Sequence, residues 1–162
     1  MKSKSAVTNI VVAGLGGQGV LKVSDILAEV AFLSGMDVKK SEIHGMSQRG
    51  GSVSSDVRFG PKVFSPMVPE GEADFLLVTQ EDQAAVNLPV LAKDGVLIQP
   101  SQVDQDQLPN KKSLNVALLG VLSHGLPFPE ESWKTAIERH LPESLHEVNM
   151  VAFRLGRKAG IR

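Results

Sequence analysis

Two short segments of the chain concentrate the residues that could do chemistry. The first, residues 14–19 (GLGGQG), fits the pattern G-x-G-x-x-G. The second, residues 42–51 (EIHGMSQRGG), brings a carboxylate, an imidazole, a hydroxyl, an amide and a guanidinium together among three glycines. Glycines let the backbone approach a ligand, so the first segment suits anion binding. The second segment suits proton transfer and recognition of a carboxylate or phosphate.

The elements around the glycine pattern are those that an anion site requires. A short apolar strand is predicted over residues 8–13 and an amphipathic helix over residues 20–34, so the glycines connect a strand to a helix N-terminus. The expected ligand is a phosphate-bearing group from a dinucleotide, a flavin or coenzyme A. Its candidate contacts are Gly14, Gly16, Gly17, Gln18 and Gly19. A glycine turn that only packs the helix against the strand remains the alternative.

The second strand does not carry the usual signature of a dinucleotide site. Such sites place an acidic residue about 20 residues after the glycines to hold the ribose. Counting from Gly19 leads to Lys39 and Lys40, with Asp37 just before them and Glu42 just after. Two lysines could suit a 2′-phosphate, so the pattern does not fix the class of nucleotide.

The second segment lies between a strand predicted over residues 37–42 and another over 52–59. In open α/β sheets, ligands collect at loops beyond the carboxyl ends of strands. The candidate site residues are His44, Ser47, Gln48 and Arg49. Arg49 could clamp an anion through two hydrogen bonds, and His44 could transfer a proton. The alternative is that Arg49 is a surface charge and His44 a local hydrogen-bonding residue.

The order of predicted elements indicates the fold class. Strands and helices alternate through the first 100 residues, with further strands over 73–79 and 95–99 and a helix over 80–92. The last third contains three helical segments. This order predicts an α/β fold, Rossmann-like, with a mainly parallel sheet flanked by helices and a helical C-terminal third. No long linker is visible, so residues 1–162 are expected to form a single domain.

Composition excludes several function classes. The 162 residues carry a net charge of −1, which is not the basic excess of a nucleic-acid-binding protein. The chain has no cysteine, so it cannot supply a thiolate nucleophile, a disulfide or a thiolate-held iron–sulfur cluster. The four histidines are scattered, so no metal site is predicted. The longest apolar run, 116–122, is far shorter than the ~20 residues that span a bilayer, and a cytoplasmic protein is expected.

Three stretches together resemble a known family. They are GLGGQGV at residues 14–20, SEIHGMSQRGGSVSSDVRFG at residues 41–60 and EVNMVAFRLG at residues 147–156. The chain resembles the gamma-type component of 2-oxoacid:ferredoxin oxidoreductases, and in particular the small, beta subunit of the indolepyruvate oxidoreductases. The HGMSQRGG stretch is the most specific part, whereas the glycine pattern alone occurs in many families.

The resemblance implies a Rossmann-like fold and a role inside a larger enzyme. That enzyme would oxidatively decarboxylate a 2-oxoacid, here indolepyruvate or another arylpyruvate, to an acyl-coenzyme A with ferredoxin as oxidant. Thiamine diphosphate, Mg and the [4Fe–4S] clusters are then expected on a larger partner subunit. Coenzyme A is expected as a substrate of the complex, and no cofactor is firmly assigned to this chain. The loop with His44, Ser47, Gln48 and Arg49 is expected to face the partner's thiamine site.

The resemblance also implies that the chain is inactive alone, while a homodimer of the isolated chain remains possible. Two other functions are left open by the residues themselves. One is a stand-alone NAD(P)- or flavin-binding reductase, and the other is a non-catalytic assembly module. No nucleic-acid or membrane partner is expected.

Overall fold

The computed structural model describes residues 6–44 and 51–161 and forms an α/β fold, as expected. Short 3₁₀ turns connect several of its elements. In chain order the strands and helices are β1 (Thr8–Leu15), α1 (Val20–Leu33), β2 (Asp37–His44), β3 (Ser52–Gly60), β4 (Ala73–Val78), α2 (Asp82–Asn87), β5 (Leu91–Ile98), α3 (Leu114–Ser123), α4 (Glu130–His140) and α5 (His146–Ala159).

The five strands form one mixed sheet in the order β2-β3-β1-β4-β5. β1 pairs in parallel with β4, and β4 with β5, while β3 runs antiparallel to both of its neighbours. Four strands therefore point the same way and only β3 opposes them, which confirms the mainly parallel, Rossmann-like expectation. Because β3 lies between β1 and β2, the ends of β1 and β2 and the start of β3 meet at one edge of the sheet.

The larger core lies on one face of the sheet, beneath α1, α3, α4 and α5. Strand residues such as Val12, Val57 and Leu77 face these helices and are fully buried. The fully buried Trp133 contacts Phe128 and Phe153, with ring centroids 6.0 and 5.6 Å apart. α3 lies inside this core and is buried from Val116 to Ser123, so nearly all of its residues are apolar.

A smaller core covers the opposite face. The alternate strand residues Val11, Ala13, Leu76 and Val78 pack there beneath α2 and the segment 61–72, together with Val68. Two polar side chains of β3 attach that segment to the sheet. The Asp56 carboxylate accepts the Val68 N–H at 2.9 Å, and Arg58 donates to the Ser65 carbonyl at 2.8 Å. Arg58 also donates to Asn9 of β1 at 2.8 Å.

The region around Pro89 differs from the sequence expectation. The helix predicted over residues 80–92 ends at Asn87, a 3₁₀ turn follows over Leu88–Val90, and β5 begins at Leu91 rather than at residue 95. Pro89 cannot donate a backbone hydrogen bond, so the helix stops there and the chain returns to the sheet earlier. None of the helices that the structure describes is both long and apolar enough to cross a membrane.

Candidate functional site

The glycine segment forms a tight turn between β1 and α1. Gly17 and Gly19 have φ angles of +86° and +76°, a region that strongly favours glycine. Gly19 caps α1, and its carbonyl accepts the Val23 N–H at 3.0 Å. The amides before Val23 in the first turn have no intrahelical acceptor, and no acidic side chain lies in that turn. The turn therefore presents free donors and the positive end of the helix dipole.

The glycines serve different purposes. A Cβ at Gly14 would lie 1.9 Å from the Thr79 hydroxyl oxygen, and a Cβ at Gly19 would lie 2.2 Å from the Asn115 amide nitrogen. A Cβ at Gly17 would meet no heavy atom within 4 Å. Close packing therefore requires Gly14 and Gly19, whereas Gly17 faces open space, so the turn is both a packing element and one wall of a cavity.

Gln18 anchors the turn to β4. Its side-chain oxygen accepts hydrogen bonds from the Leu15 N–H at 2.9 Å and the Thr79 hydroxyl at 2.8 Å, and its side-chain nitrogen donates to Gln80 at 2.7 Å. Thr79 is only 5% exposed. A hydrogen bond that is shielded from water in this way is electrostatically stronger than one in solvent. Gln18 lines a cavity beside the turn, but both of its polar atoms are hydrogen-bonded within the protein. The observed role of Gln18 in the glycine pattern is therefore to hold the turn in place.

The first cavity lies on the α3 side of the turn and encloses about 410 Å³. Its lining consists of Gly17, Gln18, Gly19, Thr79, Lys111, Lys112, Leu114 and Asn115. Among the described residues of this lining the two lysines are the charged ones, and they give that wall of the cavity a positive charge. Asn115 also holds the turn, since its amide donates to the Gly19 carbonyl at 3.3 Å. The arrangement can bind a phosphate through helix amides and two ammonium groups.

Sequence reasoning missed the residues that complete this cavity, namely Thr79, Lys111, Lys112 and Asn115. They lie about 60 to 100 positions beyond the glycines and reach them only through the fold. Their one local signal is a pair of lysines directly before an apolar helix, which by itself is typical of many solvated surfaces.

A second cavity of about 460 Å³ lies on the β3 side of the same turn. It is lined by Leu15, Gly16, Gly17, Gly19, Val20, Leu21, Lys22 and Val53. The Gly16 N–H donates to the Gly51 carbonyl at 2.9 Å, and Val53 pairs with Gly14 on one side and with His44 on the other. The glycine turn therefore meets, at this cavity, the start of β3, which directly follows the second segment.

Ser47, Gln48 and Arg49 lie outside the residues that the structure describes. The backbone of His44 ends β2 opposite Val53, and its side chain also lies outside the described part. The roles expected for these four residues stay predictions.

Lys40 connects β2 to α1 and is not available to a nucleotide. Its ammonium contacts the carboxylates of Asp25 on α1 and Glu42 on β2, the latter at 2.6 Å. Partial burial lowers the pKa of Lys40, but the hydrogen bonds and charges of the two carboxylates outweigh it, so the pKa lies above the ordinary value of 10.5. β3 also separates β2 from β1 by two strand spacings, roughly 9–10 Å, so the usual ribose site of a dinucleotide fold is not formed.

Within residues 6–44 and 51–161, no group of three or more histidine, aspartate or glutamate side chains is arranged to hold a metal ion.

Comparison with known proteins gives a consistent result. The family model "Pyruvate ferredoxin/flavodoxin oxidoreductase" matches residues 9–159. The indolepyruvate oxidoreductase subunit IorB of Thermococcus kodakarensis is 36% identical, over 93% of this chain and 95% of that protein. The IorB subunit of Pyrococcus horikoshii is 35% identical over the same shares. These matches confirm the resemblance carried by residues 14–20, 41–60 and 147–156.

Solved structures share the fold at lower identity. The gamma subunit of a keto/oxoacid ferredoxin oxidoreductase from Geobacter sulfurreducens superposes with a TM-score of 0.80 at 22% identity, covering 96% of this chain and 97% of that one. A 2-oxoglutarate:ferredoxin oxidoreductase from Magnetococcus marinus, solved with 2-oxoglutarate, coenzyme A and succinyl-CoA bound, gives a TM-score of 0.83 at 17% identity. There the match covers 96% of this chain but 31% of that one.

Proposed function

Because the chain belongs to the pyruvate ferredoxin/flavodoxin oxidoreductase family, we propose that it is the non-cluster subunit of a thiamine-diphosphate-dependent 2-oxoacid:ferredoxin oxidoreductase whose 2-oxoacid is indolepyruvate or another arylpyruvate. The relatives that are more than 30% identical over most of the chain support the substrate class, since they are indolepyruvate oxidoreductase subunits. The observation that carries the proposal is the meeting of both family segments at one cavity beside the glycine turn.

The proposal divides the work between two chains. This chain has no cysteine and so cannot hold a cluster through thiolates. The proposal places the [4Fe–4S] clusters on a larger partner subunit and assigns thiamine diphosphate and Mg to that subunit as well. The complex would convert the 2-oxoacid and coenzyme A to an acyl-coenzyme A and carbon dioxide, and two electrons would pass to ferredoxin. Ferredoxin and coenzyme A are intracellular reactants, so the proposal includes a cytoplasmic location.

In this proposal the loop with His44, Ser47, Gln48 and Arg49 forms part of the wall of the partner's thiamine site. Support comes from the residues that follow the loop, because the Gly51 carbonyl accepts a hydrogen bond from the Gly16 N–H in the glycine turn and Val53 of β3 pairs with Gly14 of β1. The 2-oxoacid and thiamine diphosphate are both anions, so a guanidinium at Arg49 would attract either one. The loop thus shapes and closes the site, while the partner's cofactor carries out the bond cleavage.

The proposal also gives the glycine turn a ligand, a phosphate-bearing group such as that of coenzyme A. Support comes from Lys111 and Lys112, which line the same cavity of about 410 Å³ as the turn, with no carboxylate among the lining residues that the structure describes. A stand-alone NAD(P)-dependent reductase is disfavoured by the strand order, which separates β2 from β1, and by the ion pairs of Lys40.

The test is co-purification followed by an assay of the complex. The tagged chain should capture a larger subunit that contains iron and thiamine diphosphate, and the complex should reduce ferredoxin or a viologen dye with an arylpyruvate and coenzyme A. The purified chain alone should reduce neither dye nor ferredoxin. Robust 2-oxoacid-dependent reduction by the chain alone, or a captured complex without such activity, would refute the proposal.

A further inference from the structure

β2 forms one edge of the sheet. Within the residues that the structure describes, it pairs along Asp37–His44 with β3 alone, so every second residue turns its backbone N–H and C=O away from the sheet. None of residues 37–43 is buried, in contrast to the central strand β1. Such an edge is a template for another strand unless its side chains prevent the pairing.

The charged side chains of β2 form a pattern that is complementary to itself. Lys40 and Glu42 are two positions apart, so both point to the face that α1 covers, and there the Lys40 ammonium also contacts Asp25. When two copies of a strand pair antiparallel about a two-fold axis, the residue on the axis faces itself, and its two neighbours face each other's counterparts. An axis at Ser41 therefore places Lys40 of each copy directly opposite Glu42 of the other.

The charges favour this register over the adjacent ones. An axis at Lys39 or Lys40 would bring two lysines face to face, and an axis at Glu42 would bring two glutamates face to face, which is destabilising. The axis at Ser41 instead brings two hydroxyls together and forms two lysine–glutamate pairs. On the opposite face the same register lays the Lys39 side chain over Ile43 of the other copy, and Ile43 is 48% exposed in the single chain.

An exposed aromatic side chain lies beside the same edge. Phe32 is 66% exposed and follows Asp25 by seven positions, so both lie on one side of α1. Asp25 contacts Lys40 of β2, which identifies that side as the one next to the free edge. Pairing of two β2 strands brings the second copy alongside Phe32, and its ring then loses contact with water.

We propose that the β2 edge is the interface of a symmetric homodimer, in which two copies pair antiparallel about Ser41 and join their sheets into one. The occupant is a second copy of this chain because the pattern of Lys40 and Glu42 matches its own reverse. The dimer goes beyond the proposed function, and its test needs no enzymatic activity.

Single cysteines report this pairing directly, since the chain has none of its own. Ser41→Cys places one thiol of each copy opposite the other. Residues that face each other in antiparallel strands have Cα atoms roughly 4.5–5.5 Å apart, which suits a disulfide, so mild oxidation should yield a disulfide-linked dimer. Lys39→Cys is the matched control on the same strand and face, because its two copies would lie four residues apart along the strands, roughly 13 Å.

Sedimentation of the full chain over a concentration series measures the dissociation constant of the dimer. Glu42→Lys and Lys40→Glu each place like charges opposite one another and should raise that constant by about 10-fold or more. An equimolar mixture of these two variants restores opposite charges at both positions and should form a mixed dimer. Phe32→Asp should weaken the dimer by roughly 10-fold as well, whereas Val151→Asp, at a 45% exposed position of α5, should leave it unchanged.

The melting temperature of each variant shows whether it folds. If a charge variant does not fold, the comparison of the two cysteine variants decides the question. An unaltered chain that is monomeric at every concentration, or equal cross-linking of Ser41→Cys and Lys39→Cys, would overturn the inference. A mixture of two folded charge variants that stays monomeric would overturn it as well.

Discussion

The hydroxyl of Thr79 donates a hydrogen bond of 2.8 Å to the side-chain oxygen of Gln18, and through it the carboxyl end of β4 holds the glycine turn. The two residues lie 61 positions apart in the chain. The same oxygen accepts the Leu15 N–H, so one amide oxygen joins the last residue of β1 to the residue that follows β4.

Replacing Thr79 with valine should lower the free energy of unfolding by about 0.5–1.5 kcal/mol, because the shape is kept and one buried hydrogen bond is lost. Urea unfolding of the isolated chain measures the change. Thr79→Ser retains the hydroxyl and should restore part of the loss. A valine variant that is as stable as the unaltered chain would show that the bond does not hold the turn.

The crossing of α3 and α5 should not tolerate a methyl group. A Cβ at Gly156 would lie 1.7 Å from the Ala117 carbonyl oxygen, and one at Gly120 would lie 2.1 Å from the Phe153 carbonyl oxygen. Both obstacles are backbone, so the helices must move apart, and Gly156→Ala should cost about 1–3 kcal/mol despite the better helix propensity of alanine. Thermal or urea unfolding measures it.

Val151→Ala provides the control for that experiment, since Val151 lies on the same helix and is 45% exposed. It should change stability by less than about 0.5 kcal/mol. Equal stabilities of the Gly156 and Val151 variants would mean that the helices separate at no cost.

Asp56 should make stability depend on pH. Burial raises the pKa of its carboxyl above the ordinary value of 3.8, although the Val68 N–H and the Arg58 charge act in the opposite direction. A raised pKa in the folded state means that the stabilisation is complete below the unfolded value and is lost as pH rises through the folded value. Asp56→Asn should therefore be more stable than the unaltered chain at neutral pH, and the difference should vanish in acid.

Urea unfolding from about pH 3.5 to pH 7 tests this sign, because the range begins below the ordinary carboxyl pKa. Asp94→Asn, at an exposed position of β5, controls for the change in net charge. A difference that grows on acidification would show that the carboxylate, rather than the carboxylic acid, is the form that the fold favours.

The two lysines of the first cavity should set its affinity for phosphate ligands. Replacing both Lys111 and Lys112 with alanine should weaken binding of coenzyme A to the complex by roughly 10-fold, since each partly solvated ammonium contributes up to about 1 kcal/mol. Calorimetric titration at two salt concentrations measures the loss and its screening. Lys93→Ala, on exposed β5, should bind as before. Unchanged affinity of the double variant would leave the turn a packing element only.

Arg49 should matter for turnover and little for folding. Arg49→Lys keeps the charge but loses the planar fork, and loss of one charge-assisted hydrogen bond corresponds to roughly 10- to 150-fold in kcat/KM of the complex. Arg49→Ala should cost at least as much. The melting temperature of the isolated chain should stay nearly constant in both. A fully active Arg49→Ala complex would remove the loop from the active-site wall, and a sharp drop in melting temperature would make Arg49 structural.

The sequence by itself determined the local elements and the family. The glycines between an apolar strand and an amphipathic helix predicted the turn correctly, because φ angles such as those of Gly17 and Gly19 and close approaches such as that of Gly14 depend on residues adjacent in the chain. The strand predicted over residues 52–59 is likewise present as β3, and its Val57 and Phe59 join the larger core. The end of α2 was predicted wrongly. The helix ends at Asn87, and a 3₁₀ turn that contains Pro89 leads directly into β5.

Only the tertiary structure decided what surrounds the turn. Lys111, Lys112 and Asn115 reach the glycines through the packing of α3 over the sheet, and no local pattern near them encodes that approach. The place of β3 between β1 and β2 likewise depends on long-range strand pairing, which brings Val53 and Gly51 against the turn and moves Lys40 away from it. Residue types and local periodicity fix which elements form, whereas the order of strands depends on how the buried faces of distant elements fit together.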